Sequence, residues 1–200
     1  MPVALPARVS SVLARRAGLR LFRLFSRKLG DGAPAVTGLA LRMVRKDDAL
    51  AQCADPELDL RPDGVEQAFA RGDLCAGAYE GDRLAGYCWL AFSPLPHLDG
   101  VWVGFGPHAV WTYKSLVRPG YRGRGIAALL YRLADVACRE RGRSTSLLCV
   151  EAHNTPSIAA GLRAGYASTG WAGWFGRGDG VRAWCSPAVA RHGLRFYRRS

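Results

Sequence analysis

The stretch Ser115-Leu-Val-Arg-Pro-Gly-Tyr-Arg-Gly-Arg-Gly-Ile-Ala-Ala-Leu-Leu130 decides how this chain is read. Residues 109–117 are rich in β-branched and aromatic side chains, which suit a half-buried strand. Pro119 removes a backbone donor and ends that strand's ladder. Ile126, Leu129, Leu130, Leu133 and Ala137 then recur on one face of an amphipathic helix running to about Arg141. The glycines therefore lie on a strand-to-helix turn. Lacking Cβ atoms, Gly123 and Gly125 let the backbone bend sharply and a ligand come close. The unpaired N–H groups of the first helical turn face outward, with the positive end of the helix dipole behind them. Arg122 and Arg124 add full positive charge. Such a turn suits a pyrophosphate.

The pattern lacks the Lys-Ser/Thr ending of a P-loop and the third glycine of a dinucleotide turn. Arg122, Gly125 and Ala127 instead fill the pattern Arg/Gln-x-x-Gly-x-Gly/Ala. Downstream, residues 144–150 read as a strand, followed by Asn154-Thr-Pro-Ser-Ile-Ala-Ala-Gly-Leu-Arg-Ala-Gly-Tyr166. Two motifs in this order and separation resemble the GNAT superfamily of acetyl-CoA-dependent N-acyltransferases over residues 115–166. Elsewhere the resemblance is loose.

That resemblance implies an α+β (mixed α/β) fold, a splayed mixed β-sheet flanked by helices. Acyl-CoA would lie in the split between the strands at 109–117 and 144–150. Backbone groups of Ser115, Leu116 and Val117 would pair with the pantetheine arm. A main-chain N–H near Val117 would polarise the thioester carbonyl. Arg122, Gly123, Arg124, Gly125, Ile126, Ala127 and Ala128 would hold the pyrophosphate. Asn154 would contact the pantetheine or the attacking amine, although a plain helix-start role accounts for it almost equally well. The implied reaction is direct attack of a small-molecule or peptide amine on acetyl-CoA in a ternary complex, with no metal.

Two positions depart from the family's pattern. Gly161 stands where many members place a tyrosine that protonates the departing thiolate, and Cys149 where they often have glutamate. A thiol pKa of ~8.5 makes CoA thiolate a tolerable leaving group without a strong acid. Glycine at 161 is expected to leave room for a large acceptor. For the proton of the incoming ammonium, Glu151 and His153 end the strand beside the split, and either could relay it through a water. Glu151 ranks first, because a carboxylate also attracts a cationic amine; His108 and Tyr113 rank below both. Cys149 lies in the apolar run Leu147-Leu-Cys-Val150, which keeps a thiol protonated and inert.

With 200 residues and 49% hydrophobic composition, the chain suits one globular domain with an appendage. Its +12 charge, from 28 basic and 16 acidic residues, favours anionic partners such as CoA phosphates, nucleic acid or an acidic membrane face. No helix-turn-helix, zinc spacing or RNA-binding aromatic pattern accompanies the charge, so no specific nucleic-acid partner is expected. The six cysteines form no C-x-x-C pair and no metal spacing with the four histidines. Most sit in apolar runs, which points to buried thiols in a reducing, cytoplasmic compartment. No apolar run approaches the ~18–20 residues of a membrane span, and arginines interrupt any would-be secretory signal.

Residues 1–35 read as a basic N-terminal extension, and 36–200 as the acyl-CoA N-acyltransferase domain. Leu21, Phe22, Phe25 and Leu29 form a stripe with Arg20, Arg23 and Arg27 largely off it. One reading is an amphipathic helix, with residues 1–30 touching an anionic surface. The preferred reading is a helix or added strand packed on the domain. Gly30-Asp-Gly-Ala-Pro34 reads as a linker, so a chain starting near Ala35 is expected to stay folded. Residues 39–45 read as the first core strand, and 74–79 with 84–92 as a hairpin. Residues 94–106 read as a loop that shapes the acceptor pocket together with 46–71, and 167–175 with 181–185 as a last hairpin. A homodimer is left open. The competing functions are a catalytically inactive acyl-CoA sensor and a basic protein that binds nucleic acid or a membrane surface.

Overall fold

The computed structural model describes residues 18–31, 38–176 and 180–199. Its elements, in chain order, are strand β1 (Arg20–Lys28), β2 (Ala40–Met43), helices α1 (Lys46–Ala51) and α2 (Pro62–Ala70), and strands β3 (Leu74–Glu80) to β4 (Arg83–Ala91). The short strands β5 (Leu95–Pro96) and β6 (Val101–Gly104) follow, then β7 (Ala109–Val117), α3 (Ile126–Leu133), α4 (Asp135–Glu140) and β8 (Thr145–Glu151). Helix α5 (Thr155–Arg163), β9 (Ala167–Phe175), β10 (Arg182–Cys185), α6 (Pro187–Ala190) and β11 (Arg195–Arg198) complete the fold.

Eight strands make one sheet in the order β10-β9-β1-β8-β7-β4-β3-β2, and β11, β6 and β5 form a smaller one. Apolar residues cover both faces of the large sheet. On one face Phe25, Cys88, Val110 and Leu148 pack with Leu130 of α3 and Ile158 of α5. On the other, Phe22, Leu24, Trp111 and Trp174 meet Val103 and Phe196 of the small sheet. Val44, Leu58, Val65, Tyr87 and Trp89 form a third cluster beside α1 and α2.

One junction sets the site. β7 and β8 run parallel, and their pairing extends only from Ala109↔Thr145 to Thr112↔Leu148. Past Thr112, β7 pairs with β4 as far as Val117, while the end of β8 pairs with β1 as far as Glu151. The two strands have parted. A register shift opposite Tyr87–Trp89 and a left-handed φ of 41° at Lys114 mark a bulge in β7 there. A bulged strand bends, and this one bends where it leaves its neighbour.

The expected boundary at residue 35 is corrected. β1 lies inside the sheet, antiparallel to β8 on one side and β9 on the other. It is the added strand of the preferred reading, not an amphipathic helix, and it belongs to the domain rather than to an appendage. Its apolar residues mimic a helical stripe because the strand is buried on both faces: alternation places Phe22 and Leu24 in one core and Phe25, with Leu29 just past the strand, in the opposite one. Arg27 is buried with the strand. Its guanidinium donates to Asp135 at 2.6 Å, and the same carboxylate accepts the Gly30 N–H at 2.9 Å. The start of the expected extension and the Ala33–Pro34 end of the expected linker lie outside the described residues.

Two smaller differences follow from long-range contacts. The helix expected to run unbroken to Arg141 is interrupted at Ala134, next to the fully buried Asp135. The expected loop at 94–106 contains β5 and β6, which pair with each other, and β6 also pairs with the C-terminal β11. No helix among the described residues is long and apolar enough to cross a membrane.

Two measurements check this account. Deleting residues 1–35 removes β1 and leaves β8 and β9 without their shared partner, so cooperative denaturant unfolding should be lost. Retention of a sharp transition would show the strand to be dispensable. His97 supplies the second check, because it sits among Phe22, Trp174 and Phe196 with ring centroids 5.4 to 5.9 Å away. Burial lowers its pKa from 6.5 to about 4. The folded value lies below the unfolded one, so this contribution is complete above pH ~6.5 and is lost as pH falls towards ~4. The loss amounts to about 3 kcal/mol at most. Urea unfolding of His97→Leu at neutral pH and near pH 4.5 should show a smaller stability difference than the parent chain.

Candidate active site

Where β7 and β8 part, a cavity of about 480 Å³ opens on the face carrying α3 and α5. Ser115, Leu116 and Val117 line it from β7, and Asn154 from the start of α5. Arg122, Gly123 and Gly125 line it from the turn, and Ile126, Ala127 and Ala128 from the first turn of α3. Sequence positions far apart thus meet around one space.

The turn has the predicted form. Gly123 and Gly125 have φ of 81° and 75°, and Gly125 caps α3 in the left-handed region. A Cβ at Gly125 would meet no protein atom within 4 Å, so that side of the glycine is open. Arg122 donates from Nε to the Val117 carbonyl at 3.2 Å, which ties the turn to the end of β7. Arg163, at the end of α5, brings a second guanidinium to the cavity. The space is therefore cationic at the turn and apolar further in.

Not every predicted residue arrives there. Arg124 is absent from the lining, and its guanidinium lies 5.4 Å from the centre of the Tyr121 ring. Glu151 also stands apart. Its carboxylate accepts from Arg20 Nη1 at 3.2 Å and lies 3.5 Å from His153 Nε2, at the end of β8. Asn154 caps α5, its Oδ1 accepting the Ser157 N–H at 3.3 Å, and this leaves its NH₂ group for a ligand. Burial pushes the Cys149 thiol well up, so it stays protonated as its apolar setting requires. His108, at the other end of the β7–β8 pairing, is remote from the opening.

A second, smaller cavity of about 170 Å³ lies along the same strand. Tyr113 and Lys114 of β7 line it, with Trp89, residues 60–71 and Leu95–Pro96 around them. Successive stretches of β7 thus serve two cavities, 113–114 the smaller and 115–117 the larger, and the change falls at the bulge. Parts of the segments 46–71 and 94–106 thus line one cavity. Tyr113 donates its hydroxyl hydrogen to Asp73 at 2.6 Å, and Arg71 donates to the same oxygen at 2.6 Å. Burial raises the pKa of both Tyr113 and Asp73. Among the described residues no cluster of His, Cys, Asp or Glu could hold a metal ion.

The acetyltransferase (GNAT) family model matches residues 42–166. The chain belongs to that family. No curated protein matches it. Among solved structures, a tandem GNAT protein from the clavulanic acid biosynthesis pathway shares 20% identity at a TM-score of 0.53, covering 84% of this chain and 57% of its own. A GCN5-related N-acetyltransferase from Sphaerobacter thermophilus shares 18% at 0.51, covering 82% and 54%. A third, from Kribbella flavida, shares 13% at 0.50, covering 94% and 67%. At such identities the likeness is one of fold. The chain spans little more than half the length of the first two.

One expectation about Gly161 is corrected. Gly161 does not line the cavity, so its missing side chain opens no space there for a large acceptor. It is buried in α5, and a Cβ there would come within 2.8 Å of Leu148 Cδ2. The space is filled from β8. Sequence reasoning also missed lining residues Tyr121, Tyr131, Ser157 and Arg163. For Tyr131 the only available signal was a phenol in the middle of an apolar helix. Gly161→Tyr should accordingly destabilise the fold by about 1–3 kcal/mol, the usual cost of overpacking a core. Thermal unfolding checks this, and an unchanged midpoint would mean that Leu148 gives way.

Proposed function

We propose that this protein is an acetyl-CoA-dependent N-acyltransferase that carries its acyl group directly to an amine in a ternary complex. The observation carrying this reading is the cavity between the parted ends of β7 and β8, with a glycine turn and helix start at its cationic end. A pyrophosphate suits the free N–H groups of α3 and the Arg122 and Arg163 guanidiniums. The arm of the substrate would then run along Ser115–Val117, whose exposed backbone edge faces the gap left by β8. Backbone N–H groups near Val117 would stabilise the charge that develops on the carbonyl oxygen.

The acceptor amine enters, in this reading, from the second cavity, beside Tyr113 and the β7 bulge. Its proton goes through water to Glu151 or His153 at the mouth of β8. Arg20 holds Glu151 in place there. Arg124 is withdrawn from the pyrophosphate set and assigned to the outer surface. The packing of Leu148 against Gly161 favours one other reading, an acyl-CoA sensor without turnover. Release of CoA in the presence of an amine panel separates the two, since a sensor binds and releases nothing.

Binding is tested at the turn. Gly125→Val places a branched side chain in the open space and forces a left-handed φ that valine resists. Arg122→Ala removes one charge without touching that backbone. Calorimetry with acetyl-CoA should show no measurable binding to the first variant and about tenfold weaker binding to the second. Undiminished affinity in both would move the pyrophosphate elsewhere.

A further inference from the structure

Attack of an amine on a thioester forms a C–N bond, breaks the C–S bond and leaves the electron pair on sulfur. That charge calls for a donor. The position from which a phenol would come is Gly161, and Leu148 occupies its space. The other hydroxyls of the cavity can be taken in turn. Tyr121 donates to Glu80 Oε2 at 2.7 Å and is spent. Ser157 sits in the first turn of α5, and among the described residues no hydrogen bond orients its hydroxyl.

Tyr131 and Ser115 remain. Both line the cavity, from α3 and β7 respectively, and their hydroxyl oxygens are 2.9 Å apart. Tyr131 is 1% exposed, with its ring edge-on to Tyr166 at 5.9 Å, so the phenol has one orientation. Ser115 is exposed and sits just past the bulge where β7 has left β8. The pair thus reaches from the core to the inner part of the cavity, away from the glycine turn. Burial pushes the Tyr131 pKa up, so its proton stays in place across the working pH range.

We propose that the Tyr131 hydroxyl, oriented by Ser115, donates a hydrogen bond to the CoA sulfur as the C–S bond breaks. The inference rests on the acyl-CoA reading of the cavity. Ser115 Oγ–H donates to Tyr131 Oη, and Tyr131 Oη–H points at sulfur. The phenol is a weaker acid than the thiol, so it stabilises the thiolate by hydrogen bonding and keeps its own proton. The proton that completes the thiol comes from water at the exposed Ser115 side, and the amine's proton leaves separately. No group is consumed.

The test reads the sulfur itself. Thiolate absorbance of CoA bound to the full chain is followed against pH, with desulfo-CoA binding as the control for the rest of the ligand. In the parent chain the bound thiol should titrate about one pH unit below the free value of ~8.5. Tyr131→Phe should return it to the free value with desulfo-CoA affinity unchanged within twofold, and Ser115→Ala should give an intermediate value. With an accepting amine, kcat of Tyr131→Phe should fall about tenfold, the equivalent of that shift. Identical thiol titration in the parent and Tyr131→Phe, with CoA still bound, overturns the inference and leaves the acyl-CoA reading standing. Failure of the parent to bind either CoA or desulfo-CoA overturns both.

Discussion

The structure depends on a pairing that stops. β7 and β8 share a parallel ladder of four register pairs and then separate, and the separation is held from below. Thr112, Ser146 and Tyr166 form a closed triangle of buried hydroxyls with sides of 2.9, 3.1 and 2.5 Å. Such a network is favourable in a low-dielectric core only when each hydroxyl finds a partner, and here each has two. It fastens the two strands at the last point where they touch. Beyond it the bulge at Lys114 turns β7 towards β4, and β8 keeps to β1. A cavity between strands is otherwise expensive, because unpaired backbone groups seek partners. At this opening they are left available to a ligand.

Much of the basic charge that dominates the composition is committed to the fold. Arg118 is 2% exposed and donates to the Leu84 carbonyl, Asp55 and Glu57 at once. Arg27 is held by Asp135 and the Tyr131 carbonyl beneath α3. Arg20 is shared between Asp99 and Glu151. Of these only Arg27–Asp135 is buried on both sides, and breaking such a pair costs about 3–5 kcal/mol, far more than losing a surface one. A net charge of +12 therefore says little about how much positive field is free for a partner. Arg122 and Arg163, which line the cavity, bear on function more directly than the sum does.

What could be read from the sequence is what local chemistry dictates. The glycine turn needs a left-handed φ at Gly123 and Gly125, and no neighbour can change that requirement. The β3–β4 hairpin announces itself through Glu80-Gly-Asp82 between two strand-like runs. The Asn154 cap and the Pro156 that follows it open α5 as expected. The misreadings all involve partners distant in sequence. β6 lies in a stretch rich in proline and glycine and becomes a strand only because β11 pairs with it. Gly161 could not be interpreted until Leu148 was seen to fill its side. Tyr131 carries no sequence mark of its place at the cavity, because the oxygen it meets lies on another element.

β1 is the most instructive of these cases. A strand buried on one face only would have Phe22 and Leu24 inward with polar residues on either side of each, a pattern easily recognised. β1 is instead buried on both faces, so its ordinary alternation puts Phe25 on the side opposite Phe22 and Leu24, and cores on both sides accept the result. The spacing that emerges, Leu21, Phe22, Phe25 and Leu29, matches a helical stripe because two-sided burial puts large apolar residues at both odd and even positions. The family match begins at residue 42, so this strand lies outside it, yet it separates β8 from β9 and covers the edge that β8 would otherwise expose. An open edge beside the cavity would invite pairing with another chain. The N-terminal strand closes that edge, and through Arg27 and Asp135 it also anchors α4, whose neighbour α3 forms one wall of the cavity.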